Sequence, residues 1–190
     1  MDNRYVKIFA SGSKAPLKAT PGHFATNHAH INYYLDMTTL KTRLSEAQEV
    51  AKHLAERFLF DKVVDTIVCL EGTQVIGAYL AEELTRAGVL STNAHKTIYV
   101  ITPEYNSNSQ MVFRENILPM VHGKNVVILT AVVTTGLSLN KSIEAIQYYG
   151  GKLQSAAAVF STLDELNGCP ITSIYLSLIH ISEPTRPISI

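Results

Sequence analysis

The strongest constraint on the fold is an alternation of short apolar segments with longer amphipathic ones between residues 43 and 161. Four short segments are rich in apolar and β-branched residues, as strands buried on both faces are: 62–70, 96–102, 123–131 and 152–161. Three longer segments have the apolar spacing of helices: 43–58, 75–88 and 137–151. This order predicts an α/β fold with a mostly parallel sheet flanked by helices, which binds ligands beyond the carboxyl ends of its strands.

Composition narrows the class of protein. The chain has 190 residues, 46% hydrophobic and 17% charged, so a substantial core in one globular unit is expected. The formal net charge is zero, which argues against a nucleic-acid surface. No apolar run has the length of a membrane span and no signal peptide is recognisable, so we expect a cytoplasmic protein with no membrane partner. Cys69 and Cys169 lack ligand-like spacing and are expected to be reduced, buried thiols.

Three regions are expected along the chain. Residues 1–40 are punctuated by glycine and proline and are predicted to be an irregular N-terminal hood, and residues 41–175 are predicted to form the α/β core. The segment "LSLIHISEPTR" (176–186) resembles translated DNA of a sequencing adapter, so we predict that 176–190 is a non-native tail. The alternative is a genuine terminal strand, for which "SIYLSLIHIS" has a suitable composition.

The segment "VVILTAVVTTGLSL" (126–139) runs from a predicted strand through a Thr-Thr-Gly turn into a predicted helix. Free N–H groups at the start of a helix, together with the helix dipole, favour a phosphate dianion. The threonine hydroxyls add hydrogen-bond donors, and Gly136 allows close approach of the backbone. Turns of this kind also occur as simple connections, so the motif alone leaves a binding site and a structural turn as alternatives.

Three segments together resemble the type I phosphoribosyltransferases, most of all orotate phosphoribosyltransferase. The stretch "GHFATNHAHINYYLDMTTL" (22–40) is similar to the N-terminal region of the orotate enzymes. The stretch "VVDTIVCLEGTQVIGAYLAEEL" (63–84) resembles the family's first core strand, pyrophosphate loop and following helix, and 126–136 resembles its ribose 5-phosphate loop. The similarity extends over about residues 5–175, and the order and spacing of the segments carry it.

The resemblance implies transfer of ribose 5-phosphate from phosphoribosyl pyrophosphate to a pyrimidine base, in pyrimidine nucleotide biosynthesis. The implied partners are phosphoribosyl pyrophosphate, a nucleobase or nucleoside monophosphate, Mg²⁺ bound through the pyrophosphate, and a second copy of the chain in a homodimer. The implied 5-phosphate site consists of Val133, Thr134, Thr135, Gly136, Leu137 and Ser138. The implied pyrophosphate loop consists of Glu71, Gly72, Thr73 and Gln74.

Two further positions follow from the resemblance. Tyr33 and Tyr34 fall where aromatic side chains stack on the base, although ordinary packing explains them equally well. Residues 103–116 correspond to the family's mobile loop, which is rich in basic residues, and here the loop has only Arg114. No catalytic residue is assigned.

The sequence departs from the family at charged positions. Thr130 and Ala131 stand where two acidic residues normally hold the ribose hydroxyls, and no lysine lies near Gln74. No basic residue between Phe160 and Gly168 is present to pair with the orotate carboxylate. Each lost hydrogen bond to a charged group costs about 1.5–3 kcal/mol. The alternative to an enzyme is therefore a non-catalytic regulator that binds phosphoribosyl pyrophosphate or a nucleotide, and a third possibility is a structural subunit.

Two sets of charged or metal-binding residue types are not predicted to form binding sites. His23, His28 and His30 lie close together but lack a fourth ligand for zinc nearby, so no resident metal site is predicted. Lys41 and Arg43 are interpreted as the solvated start of a helix.

Overall fold

The computed structural model describes residues 5–25, 30–56, 62–86, 91–94 and 96–176. The hood is a three-stranded antiparallel sheet of β1 (Val6–Phe9), β2 (Pro16–Ala25) and β3 (His30–Asp36). The prediction that residues 1–40 are irregular is therefore wrong. Pro16 is the first residue of β2, and Pro21 lies where the pairing with β3 shifts register. Both prolines thus occupy positions that a strand tolerates, which the sequence pattern alone does not reveal.

The hood is packed onto the rest of the chain. Ala15, Leu17 and Ala19 alternate along β2 and its approach, and all three are buried. Ala15 and Leu17 belong to the same hydrophobic cluster as the core helices. The phenol oxygen of Tyr175, near the end of the described chain, donates a hydrogen bond to the carbonyl oxygen of Ala15 at 2.5 Å. The inner face of the hood is therefore part of the core.

The remaining strands are β4 (Thr66–Cys69), β5 (Tyr99–Ile101), β6 (Glu104–Tyr105), β7 (Met111–Val112), β8 (Asn125–Val133), β9 (Lys152–Ser161), β10 (Glu165–Leu166) and β11 (Cys169–Leu176). Six of them form one sheet in the order β10-β11-β9-β8-β4-β5. All neighbours are parallel except β10, which is antiparallel to β11. The predicted fold class, a mostly parallel sheet flanked by helices, is confirmed.

The described helices are α1 (Thr38–Thr42), α2 (Leu44–Glu56), α3 (Gln74–Thr85), α4 (Leu137–Tyr148) and a 3₁₀ turn (Leu118–Met120). Successive residues of β8 point to opposite faces of the sheet, so Leu129 packs in the cluster of α2 and α3 and Ile128 in the cluster of α4. Both side chains are fully buried. A sheet covered on both faces requires the nearly continuous apolar strands from which it was predicted.

The strand order contains a reversal that locates a ligand site. The chain passes from β4 to β5 on one side of β4, and then returns to place β8 on the other side. The reversal therefore lies between β4 and β8. In open parallel sheets, ligands bind beyond the carboxyl ends of the strands at such a point.

The segment predicted to be a mobile loop, 103–116, contains the hairpin of β6 and β7. Its tip is held by Asn106, whose side-chain oxygen accepts hydrogen bonds from the N–H groups of Asn108 and Gln110. The tip is exposed, whereas Met111 and Phe113 are buried against α4 and the sheet. Mobility of this segment remains a prediction.

Several other expectations concern the cysteines and the end of the chain. Cys69 and Cys169 are both unpaired and buried, as predicted, and burial raises the pKa of the Cys69 thiol to about 12.

Leu176 is the last residue of β11 and pairs with Ser161, so the first residue of the predicted tail lies within the sheet. Residues 177–190 are outside the described chain. No helix among the described residues is long and apolar enough to cross a membrane.

Candidate functional site

A cleft of about 1480 Å³ opens at the carboxyl edge of the sheet. Four segments line it: the turn between β8 and α4, the start of the loop after β4, the β6–β7 hairpin after β5, and one side of α4. The first two segments flank the reversal in strand order. The cleft therefore lies where the topology of the sheet predicts a ligand.

The turn between β8 and α4, here called the Thr-Thr-Gly turn (134–138), requires its glycine. Gly136 has a φ of 78°, in the left-handed region that side chains rarely adopt. A Cβ atom at this position would lie 3.0 Å from Leu166 and 3.2 Å from Leu163. The turn is also fixed by the residue that follows β9, since the hydroxyl of Thr162 donates to the carbonyl oxygen of Thr134 at 2.7 Å. The shape of the turn is therefore set by both conformation and packing.

The Thr-Thr-Gly turn presents a row of unused hydrogen-bond donors. In the described part of the chain, the five backbone N–H groups of residues 134–138 have no acceptor, and the first helical bond runs from Asn140 to Gly136. The hydroxyls of Thr134, Thr135 and Ser138 also have no hydrogen-bond partner among the described residues, and these side chains are exposed. The dipole of α4 has its positive end here, so the turn favours an anion.

The loop after β4, here called the 70–74 loop, is tightly bent. Glu71 and Gly72 have φ values of 54° and 78°, so two successive residues are left-handed. The hydroxyl of Thr73 is buried and donates to the carbonyl oxygens of Leu70 and Leu129, at 2.8 and 3.0 Å. Thr73 thus anchors the loop to the sheet, and its hydroxyl is not exposed to the cleft. Gln74 is exposed as the first residue of α3.

Glu71 crosses from its loop to the end of β8. Its Oε2 atom accepts hydrogen bonds from the hydroxyl of Thr130 at 3.0 Å and from the N–H groups of Ala131 at 3.2 Å and Val132 at 3.4 Å. Thr130 and Ala131 are both buried. A carboxylate therefore lies at the strand end whose own residues are not acidic, and it comes from the neighbouring loop. Sequence reasoning assigned Glu71 only to the pyrophosphate loop.

Lys41 was interpreted as part of a solvated helix start, and the structure corrects this. Its Nζ atom donates to the carbonyl oxygen of Glu71 at 2.8 Å and would lie 3.9 Å from a Cβ atom at Gly72. A cation is therefore present at the 70–74 loop, although no lysine occurs near Gln74 in the sequence. The contact joins positions 30 residues apart. No local sequence signal identifies such a contact.

The hairpin contributes an aromatic side chain to the cleft and no cation. Tyr105 lines the cleft, and the pKa of its phenol is raised, first by burial and second by the negative charge of Glu71. Arg114 instead pairs with Glu104 at 2.6 Å, is 70% exposed, and does not line the cleft. Among the described residues that line the cleft, Lys141 is the one basic side chain.

The remaining predicted positions lie elsewhere. Tyr33 and Tyr34 are exposed on the hood and do not line the cleft, and Tyr34 packs against Phe24 with ring centres 5.9 Å apart. Their role in base stacking remains a prediction. No group of three or more potential metal-binding side chains occurs among the described residues. The side chains of His28 and His30 lie outside the described part of the structure.

Comparison with known proteins finds similarity in structure but none in sequence. No family model and no curated protein sequence matches the chain. Among solved structures, UMP synthase from Leishmania donovani is similar with a TM-score of 0.62 and 18% identity, over 83% of this chain and 33% of that one. This chain therefore spans about a third of the length of that protein.

Two shorter proteins are matched over most of their length. Orotate phosphoribosyltransferase from Mycobacterium tuberculosis H37Rv is similar with a TM-score of 0.57 and 16% identity, over 84% of this chain and 89% of that one. Adenine phosphoribosyltransferase from Thermoanaerobacter pseudethanolicus is similar with a TM-score of 0.59 and 17% identity, over 85% of this chain and 95% of that one. At these identities the similarity shows the fold. The chain has the fold of the type I phosphoribosyltransferases.

Proposed function

We propose that the cleft binds a 5-phosphoribosyl group and that the chain is a phosphoribosyltransferase. The observation that carries this proposal is the Thr-Thr-Gly turn, whose five N–H groups lack acceptors in the described structure beside the reversal in strand order. A phosphate dianion satisfies several such donors at once and is favoured by the dipole of α4. The solved proteins that share the fold include orotate and adenine phosphoribosyltransferases, which supports the same reaction class.

The donor substrate we propose is phosphoribosyl pyrophosphate. The transition state of such a transfer has oxocarbenium character, so the protein contributes mainly by positioning both phosphates and the base. Glu71 of the 70–74 loop supplies a carboxylate to this side of the cleft and contacts the end of β8. Lys41 contacts the backbone of the same loop and places a positive charge beside it. Mg²⁺ commonly binds through one or two carboxylates and substrate phosphates, and Glu71 fits that donor type.

The acceptor base we propose first is orotate, because the region 22–40 resembles the orotate enzymes. This assigns the chain to pyrimidine nucleotide synthesis. An adenine enzyme shares the fold equally well, and no basic residue lies between Phe160 and Gly168 to pair with a carboxylated base. Uracil and adenine are therefore the comparison substrates. We further propose a homodimer, which a molecular mass of twice 20.9 kDa in solution would support.

A second candidate is a binder that does not catalyse transfer. It is favoured by the hairpin, because Arg114 is paired with Glu104 and no basic residue occurs from 104 to 112. A pyrophosphate leaving group would then have fewer cations to stabilise it. Binding of phosphoribosyl pyrophosphate with Mg²⁺, but no product with orotate, uracil or adenine, would favour this candidate over the enzyme.

The test is calorimetric titration with ribose 5-phosphate and then with phosphoribosyl pyrophosphate and Mg²⁺. We expect both to bind, and the variant Ser138→Asp to weaken both by at least about 100-fold, since like charges placed together cost several kcal/mol. Ser45→Asp is the matched control, because Ser45 is likewise the second residue of an exposed helix start, that of α2. Equal effects of the two variants, or no binding by the unaltered chain, would refute the site.

A further inference from the structure

Glu71 is held in place from both its side chain and its backbone. Oε2 accepts three hydrogen bonds, from Thr130, Ala131 and Val132. The carbonyl oxygen accepts a fourth, from the Nζ atom of Lys41. The residue also has a left-handed φ of 54°, which is uncommon for a residue with a side chain and which occurs preferentially at functional sites. The position of the carboxylate is therefore determined by contacts from β8 and α1.

One acceptor of this carboxylate remains unused. Glu71 lines the cleft, and its Oε1 atom has no hydrogen-bond donor among the described residues. The free donors of the Thr-Thr-Gly turn line the same cleft. A carboxylate beside an anion site weakens anion binding by charge repulsion unless the ligand also carries donors for it. Its presence therefore favours a ligand with both a phosphate and hydroxyl groups.

We propose that Glu71 is the residue that binds the ribose hydroxyls of the phosphoribosyl ligand. This inference rests on the proposed function and adds to it a source of sugar specificity. The two residues at the end of β8, Thr130 and Ala131, instead hold the Glu71 carboxylate through a hydroxyl and an N–H group. The acid thus comes from the 70–74 loop and reaches the strand end across the gap between β4 and β8.

The test compares three probes by calorimetry: inorganic phosphate, ribose 5-phosphate and 2-deoxyribose 5-phosphate. The unaltered chain should bind ribose 5-phosphate roughly 10- to 100-fold more tightly than the deoxy compound, as expected for one hydrogen bond to a charged group. Glu71→Gln keeps the size of the side chain and should abolish this preference. Inorganic phosphate should bind Glu71→Gln at least as tightly as the unaltered chain, which also shows that the variant is folded.

Glu144→Gln is the matched control, because it removes the same charge from the lining of the same cleft, where the Glu144 carboxylate accepts a hydrogen bond from Asn140 and, within the described chain, none from β8. It should leave the ratio of ribose to deoxyribose affinity unchanged. If Glu71→Gln retains the preference, or the unaltered chain has none, the inference is overturned while phosphate binding still supports the proposed function. If none of the three probes binds, both proposals are wrong.

Discussion

The two walls of the cleft are built in different ways. The Thr-Thr-Gly turn is contiguous in sequence, and its donors are mainly backbone N–H groups whose positions follow from one strand, one glycine and one helix. The 70–74 loop contributes the carboxylate of Glu71, which accepts a hydrogen bond from Thr130, 59 residues away in sequence. The backbone of the loop is contacted by Lys41, 30 residues away from Glu71. Ligand binding at the first wall, the Thr-Thr-Gly turn, should therefore depend mainly on backbone conformation. Binding at the second wall, the 70–74 loop, should depend mainly on where the charged groups lie.

The largest combined effect on stability and affinity should come from the backbone of the first wall. Gly136→Ala forces a left-handed alanine, which costs about 1–2 kcal/mol, and adds contacts with Leu166 that cost about 1–3 kcal/mol more. We expect a corresponding loss of unfolding free energy and at least a tenfold loss of ribose 5-phosphate affinity. Denaturant unfolding and calorimetry measure the two effects.

Gly123→Ala is the control for this change. Gly123 also has a left-handed φ, of 71°, but no atom lies within 4 Å of its Cβ position. Gly123→Ala should lower the unfolding free energy only by the cost of a left-handed alanine, about 1–2 kcal/mol, and should leave ribose 5-phosphate affinity unchanged. Equal losses in the two variants would show that the packing of Gly136 against Leu166 does not shape the turn.

The second wall should tolerate relocation of its charge. Thr130→Asp combined with Glu71→Gln returns a carboxylate to the strand end, about 3 Å from where Oε2 now lies, as judged from the Thr130 contact. We expect the double variant to recover about tenfold of the ribose preference that Glu71→Gln loses. Thr130→Asp alone places two carboxylates together, so it should destabilise the fold. A double variant without any ribose preference would mean that carboxylate position alone does not determine specificity.

A smaller effect is expected from Lys41, the cation that contacts the backbone of the 70–74 loop. Lys41→Met should weaken phosphoribosyl pyrophosphate binding by roughly 3- to 10-fold, since one charge-assisted contact is lost. Ribose 5-phosphate, which has no pyrophosphate, should be much less affected. Lys52→Met, an exposed lysine on α2, serves as the control in the same titrations. A uniform loss for both ligands would assign Lys41 to the stability of the loop instead.

The smallest effect concerns the hairpin. The pKa of Tyr105 is raised by burial and, second, by the charge of Glu71. Glu71→Gln removes the second cause and leaves the first, so the pKa should fall toward 10.0 without reaching it. Ultraviolet titration of phenolate, with Tyr105→Phe to identify the signal, measures the change. An unchanged pKa would indicate that the hairpin does not lie near the carboxylate in solution.

The contrast between the walls also explains what could be predicted from sequence. The strand 152–161 was predicted with its observed bounds, and the strand and turn leading to Gly136 were recognised, because these features depend on local pattern and conformation. The hood strands were missed because Pro21 and Gly22 indicate a break, whereas pairing with β3 accommodates them at an irregularity. Whether this segment forms strands therefore depends on pairing between β2 and β3 and not on the local sequence.

The charges of the second wall could not be located from sequence for the same reason. Thr130 and Ala131 correctly indicated that β8 ends without acids. Whether an acid reaches that point depends on the adjacency of β4 and β8 and on the left-handed backbone of Glu71, neither of which is encoded locally. The contact of Lys41 with the 70–74 loop could not be predicted either, because it depends on where α1 packs.

A single phosphoribosyl ligand should engage both walls of the cleft, and amide NMR titration of the ¹⁵N-labelled chain can detect both contacts in one experiment. Inorganic phosphate should shift the N–H signals of 134–138 along one saturating curve and leave those of Ala131 and Val132 unchanged. Ribose 5-phosphate should shift the same signals and also those of Ala131 and Val132, because both donate to Glu71. If ribose 5-phosphate shifts the signals of 134–138 but leaves those of Ala131 and Val132 unchanged, one ligand does not engage both walls. If the signals of 134–138 respond to neither compound, there is no phosphate site at the turn.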